Sequence, residues 1–154
     1  ADLTYAETGR TANQLTTLDD IMMFSSPLAG TPATLPALAD PTDTSAALDD
    51  RARAYLHTNC SGCHRPGGAA QGTLDFRFDT ALSATGGCDV APVNGDLGVA
   101  NARVIAPGDA DRSVAWLRMG VRDADAMPPL ASNLVDSAGR QLIRDWIEGL
   151  TGCT

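Results

Sequence analysis

Apolar residues recur at helical spacing in four stretches of the chain. Leu15, Leu18, Ile21 and Met22 follow Thr11-Ala12-Asn13-Gln14, a fit to a capping box, and predict a first helix over 11–24. Leu48, Ala52, Tyr55 and Leu56 mark a second over 45–59, with Ser45 as N-cap and Asp49 and Asp50 near the positive helix start. Val114, Trp116 and Leu117 predict a short helix at about 111–119, stopped by Gly120. The widest stripe is Ala138, Leu142, Ile143, Trp146, Ile147 and Leu150, a helix over 137–150 capped by Asp136 or Ser137 and ended by Gly152.

Polar and turn-forming residues separate these stretches. Pro27, Pro32, Pro36 and Pro41 make 25–43 a linker or a surface strap, anchored by Leu28, Leu35 and Leu38. Residues 65–110 are loop-rich, broken at Pro66-Gly67-Gly68, Gly86-Gly87 and Asn94-Gly95. Within them Leu74-Asp75-Phe76-Arg77-Phe78 alternates, which suits a short strand or chain packed against a flat ligand. No internal repeat is present. The pattern predicts a mainly α protein. Residues 1–44 form a helix-plus-strap extension packed on the core through Leu15, Leu18 and Ile21, and 45–154 form the principal domain.

The chain of 154 residues is long enough for one core. No run reaches the roughly 20 apolar residues that span a bilayer. The N-terminus has no basic-then-apolar leader. Either a leader has been removed or the chain is a module of a longer protein; Ala1-Asp2-Leu3-Thr4 favours the module. The net charge of −8 argues against nucleic acid, which needs a basic face, and suits a basic partner or simple solubility. All 11 cations are arginine, so no lysine ring can serve as a docking surface.

Chemistry concentrates at Cys60-Ser61-Gly62-Cys63-His64. Cys-x-x-Cys-His is the attachment signature of c-type haem. Each thiol adds to one vinyl group of the same porphyrin edge, and the adjacent imidazole is one axial ligand of the iron. A packed haem also supplies apolar mass that a chain with only 5% aromatics lacks. Two cysteines remain, Cys88 and Cys153. Haem c is attached outside the bacterial cytoplasm, where disulfides persist, so the pair is expected to be bridged, with two free thiols as the alternative.

The second axial ligand separates a carrier from a catalyst. Candidates are Met22, Met23, Met119, Met127 and His57. His57 lies seven residues before His64, on the same side of the porphyrin if the helix continues. Met22, Met23 and Met119 occupy helical apolar positions, where methionine is more often core. Met127 stands apart in Asp125-Ala126-Met127-Pro128-Pro129, where two prolines stiffen the loop that presents the thioether. Imidazole plus thioether closes the coordination shell, which suits one-electron transfer. Loss of Met127 from the iron would open peroxidase-like or ligand-sensing chemistry. Arg103, Arg118 and Arg122 are candidates to pair with the haem propionates, or are solvated charges. The Trp116 indole is a further propionate donor, or core.

With these parts in place, the chain resembles a class I c-type cytochrome over about 46–150. The resemblance implies a cytochrome c-like helical fold around one covalent haem, in which Ala52 and Leu56 cross Ile143 and Trp146 near the helix ends. It implies Met127 as the distal ligand. Two departures stand out: Ala52 replaces the usual glycine, and no proline suitably placed after the motif offers its carbonyl to His64. The phrases Arg51-Ala52-Arg53-Ala54-Tyr55-Leu56, His64-Arg65-Pro66-Gly67-Gly68, Ile105-Ala106-Pro107-Gly108-Asp109, Met127-Pro128-Pro129-Leu130-Ala131 and Leu38-Ala39-Asp40-Pro41 are similar to haem-c domains appended to large exported bacterial proteins. Some of those carry carbohydrate-binding modules. By that resemblance the protein is a periplasmic, outer-surface or secreted carrier of single electrons. The resemblance implies another redox protein as partner, with one of the lytic polysaccharide monooxygenase kind as a candidate.

Overall fold

The computed structural model describes residues 2–130 and 133–154. Ala1 and Ala131, each part of a phrase quoted above, lie outside them. The chain divides into two compact units, one ending at Ala37 and one spanning Leu38–Thr154.

The first unit opens with a hairpin. Strands β1 (Asp2–Tyr5) and β2 (Arg10–Asn13) pair antiparallel, with Leu3 opposite Ala12 and Thr4 opposite Thr11. Thr4 and Thr11 hydroxyls meet at 2.8 Å, a cross-strand contact that β-branched residues favour. Gly9 closes the turn at φ 66°, a conformation that costs other residues. Helix α1 is confined to Gln14–Asp20, capped by the Asn13 side chain accepting from the Leu15 N–H. The expected helix over 11–24 is thus shorter at both ends. Thr11 is spent on the hairpin, and Asp19 and Asp20 sit where the helix dipole is negative. Asp19 instead accepts from the Leu28 N–H.

In the second unit, α2 (Leu48–Cys60) begins later than Ser45. Asp43 takes both the Ser45 N–H and its hydroxyl, at 2.9 and 2.6 Å, so Ser45 serves a local turn rather than the helix. Arg51 reaches back to donate twice to the Pro41 carbonyl, fastening residues 38–43 against α2. Residues 61–109 contain one short 3-10 turn, Leu82–Ala84, and otherwise follow irregular paths. The Leu74–Phe78 alternation does not form a strand. The Asp75 N–H goes to Thr85 and the Phe76 N–H to His64, so this stretch is held singly at several points.

A 3-10 turn, Ala110–Arg112, leads into α3 (Val114–Met119). Asp109 caps it, accepting from Arg112, and the fully buried Ser113 links Ala106 to Asp109 through its hydroxyl. Helix α4 (Ser137–Gly149) matches its predicted span within a residue, and Asp136 is its cap. The cap accepts from the Gly139 N–H. Leu142, Ile143, Trp146 and Ile147 are buried, as the apolar stripe requires. They join Ala52, Leu56, Val104, Ile105 and Trp116 in one core.

The expectation of a mainly α, cytochrome c-like helical fold is corrected. Helices, the 3-10 turns included, take up about a third of the chain, α1 and α3 are 7 and 6 residues long, and the only sheet among the described residues is the terminal hairpin. The physical reason is the glycine and proline content of 61–109. That composition breaks helical ladders and leaves nearly a third of the chain as fixed loop.

Candidate functional site

Helix α2 delivers the cysteine motif. Cys60 is its last residue, and the chain continues for another turn because the Cys60 carbonyl accepts from Cys63 (3.1 Å) and from His64 (2.8 Å). Positions 60, 63 and 64 therefore follow i, i+3, i+4 spacing on one face. The Ser61 hydroxyl donates to the His57 carbonyl at 2.7 Å and secures the helix end. Both motif thiols are free, Cys60 half-buried and Cys63 exposed. Burial, followed by the neighbouring Cys63, pushes the Cys60 thiol up to about 11.

His64 is half-buried, with Phe76 edge-on at a ring separation of 5.6 Å. Its Nδ1 is buried and finds no hydrogen-bond partner. Burial lowers its pKa and favours the neutral imidazole, the form that binds metal. Its carbonyl accepts from the Phe76 N–H at 3.0 Å, so imidazole and phenyl ring are tied through the backbone as well.

His57 is engaged elsewhere. Its Nδ1 accepts the Phe78 N–H at 3.0 Å. Beside it the buried Arg53 donates to the carbonyls of Arg77, Phe78 and Thr80. Asp75 accepts from Arg77 and from the Thr80 hydroxyl. The loop 75–80 is thereby fastened to the face of α2 one to two turns before the cysteines.

Met127 is half-buried and next to the buried Ala126, in a loop that follows α3. Its N–H donates to the Arg118 carbonyl at 3.0 Å, and the Met127–Pro128 peptide is cis. Of the other candidates, Met119 packs on the core, while Met22 and Met23 are 87% and 66% exposed in the first unit.

The residues proposed for the propionates already have protein partners. Arg103 bonds Asp89 and the carbonyls of Asn101 and Ala102. Arg118 and Arg122 bond loop carbonyls around Met127. The buried Trp116 gives its indole N–H to the Arg140 carbonyl at 3.0 Å. Arg140 was not a sequence candidate. Its guanidinium stacks 3.6 Å above the Trp116 ring and its Nε is buried without a partner. It borders a cavity of about 470 Å³ walled by Leu97, Val99, Leu117 and Val121, with Asp123 and Asp125. Only the packing of α3 on α4 brings Arg140 to Trp116, and no local pattern announces it.

No protein-family model, curated protein or solved structure matches this chain. The assignment of a cofactor therefore rests on the fit of its residues.

That fit is good at the cysteine motif. Two unpaired thiols and a neutral-leaning imidazole follow one helical face. The remaining cysteines, Cys88 and Cys153, are joined in a disulfide with Cα atoms 5.7 Å apart. The motif pair is thus left available for another covalent use. Cys60, Leu97, Val99, Leu117 and Met119 all pack against the same core. Among the described residues no three His, Cys, Asp or Glu side chains converge, so a bare metal ion has no ready-made cage there. No helix among them is long and apolar enough to cross a membrane.

Proposed function

We propose that the protein is a mono-haem carrier of single electrons. Cys60 and Cys63 hold haem c by thioether bonds, and His64 and Met127 are the axial ligands. The observation that carries this reading is the Cys60–His64 turn: two free thiols and a half-buried imidazole at i, i+3, i+4, in a chain whose other two cysteines are bridged.

Haem bound there supplies a one-electron iron couple. The residues of the chain do the rest. Cys60 and Cys63 fix one porphyrin edge. The burial of His64 keeps its imidazole neutral and able to ligate. Met127 offers a soft thioether from a loop tied by its own N–H to Arg118. Phe76 covers one edge of the His64 ring, an apolar contact that favours a small reorganisation between oxidation states.

The Cys88–Cys153 disulfide supports an oxidising, extracytoplasmic location, the compartment in which haem c is attached. A transient redox partner there fits the function. A polysaccharide-active oxidoreductase is the candidate that the sequence resemblance adds. The test is to express the chain with a haem c maturation system. Haem should stay bound through acid–acetone extraction, and Cys60→Ser with Cys63→Ser should release it. The ferric form should show the weak far-red band of sulfur-bound iron, and Met127→Ala should lose it. A ferric band that survives Met127→Ala removes Met127 from the iron.

A further inference from the structure

Two arginines grip the loop that carries Met127 from opposite ends. Arg118 lies in α3, and its side chain is only 13% exposed. One arm donates to the Asp125 carbonyl (3.0 Å) and carboxylate (3.3 Å), the other to the Asn94 carbonyl (2.7 Å). The backbone carbonyl of the same residue takes the Met127 N–H. Arg122 donates to the last carbonyls of the α3 region, Met119 and Val121, and its far arm reaches the Leu134 carbonyl at 2.7 Å. The loop is therefore anchored two residues before Met127, at Met127 itself, and seven residues after it. Between the anchors, Pro128, Pro129 and Leu130 are exposed and contribute little packing.

Resting on Met127 as the iron ligand, we propose that Arg118 and Arg122 are positioning residues that hold the Met127 thioether in place. A loop ordered in advance loses little entropy when its sulfur binds, so a weak iron–sulfur bond suffices. The acceptors are mostly backbone carbonyls pointing in different directions. A planar guanidinium spreads five donors over a rigid fork and spans acceptors on separate segments, which a compact ammonium with three donors reaches only in part.

A competing ligand tests this, because it binds ferric haem only when Met127 moves off. Imidazole is titrated into the haem-loaded full chain and into Arg118→Gln, Arg118→Lys, Arg122→Gln and, as a control, Arg112→Gln, whose arginine pairs with Asp109 away from the loop. We expect imidazole to bind about tenfold more tightly to Arg118→Gln and Arg122→Gln, the scale of one or two lost hydrogen bonds. Arg118→Lys should fall between, and Arg112→Gln should match the parent. Parent-like imidazole affinity in both glutamine variants overturns the proposal, as does an equal rise in Arg112→Gln. Met127→Ala separates the two readings. If it loses the far-red band while the glutamine variants behave as the parent, the positioning role alone fails; if it keeps the band, the ligand assignment fails first. Should Arg118→Gln not fold, Arg122→Gln decides from the other anchor.

Discussion

The indole N–H of Trp146 donates to the carboxylate of Asp49 at 2.7 Å, across 97 residues of sequence. Trp146 is buried in α4 and Asp49 sits in the first turn of α2. One carboxylate thus favours its own helix start and ties it to the other long helix. Trp146→Phe removes the donor and part of the buried indole. It should cost about 2–3 kcal/mol, the lost hydrogen bond to a charged group plus the space left in the core. Urea denaturation checks this. Asp49→Asn in the Trp146→Phe background should then add only the small change in helix-start charge, since the shared bond is already gone.

Gly139 supports the same pair of helices by being small. A Cβ placed on it would overlap the Tyr55 ring, whose hydroxyl donates to Asp136 at 3.0 Å. Ala52 on α2 is fully buried in one core with Ile143 and Trp146 of α4, and Gly139 adds a close approach from the α4 side. Gly139→Ala should destabilise by roughly 2 kcal/mol through overpacking. Tyr55→Ala should make the added methyl tolerable, so the double variant should be less damaged than the two effects summed. Additive losses in thermal unfolding would contradict the contact.

Reduction of Cys88–Cys153 releases a loop of 65 residues. On the loop-entropy argument this costs about 4 kcal/mol. Intact mass should rise by two hydrogens on reduction, and the urea midpoint should fall. A midpoint unmoved by reduction would mean that closing this loop contributes nothing to stability.

Acid should loosen the loop fastened to α2. The Arg77 guanidinium beside Asp75, helped by the Arg77 N–H and the Thr80 hydroxyl, holds the Asp75 carboxyl well below its ordinary 3.8. A folded value below the unfolded one means that the stabilisation is present above about pH 4 and is lost as pH falls below it. Stability should therefore be flat from pH 5 to 7 on this group's account and decline in acid. Asp75→Asn should be less stable at pH 7 and show a shallower acid limb; a limb unchanged by the substitution would shift the cause to other carboxylates.

The sequence by itself determined the elements whose signals are local. Helix α4 was legible to within a residue because its stripe repeats for three turns and Asp136 stands at its start. The Cys60–His64 motif was legible because its chemistry lies within five adjacent residues, and the Cys88–Cys153 pairing followed by elimination and compartment. The hairpin before α1 was missed, because Thr11-Ala12-Asn13-Gln14 reads as a helix start when its strand partner is unseen. The mainly α expectation failed on 61–109, whose backbone groups are satisfied one at a time by distant partners such as His64, Thr85 and Ile105. Only the tertiary structure decided what the arginines do. A guanidinium carries no local signature of its acceptor, so the engagement of Arg53, Arg118 and Arg122 by loop carbonyls, and of Arg140 by Trp116, became visible only when folding brought those partners within 3–4 Å.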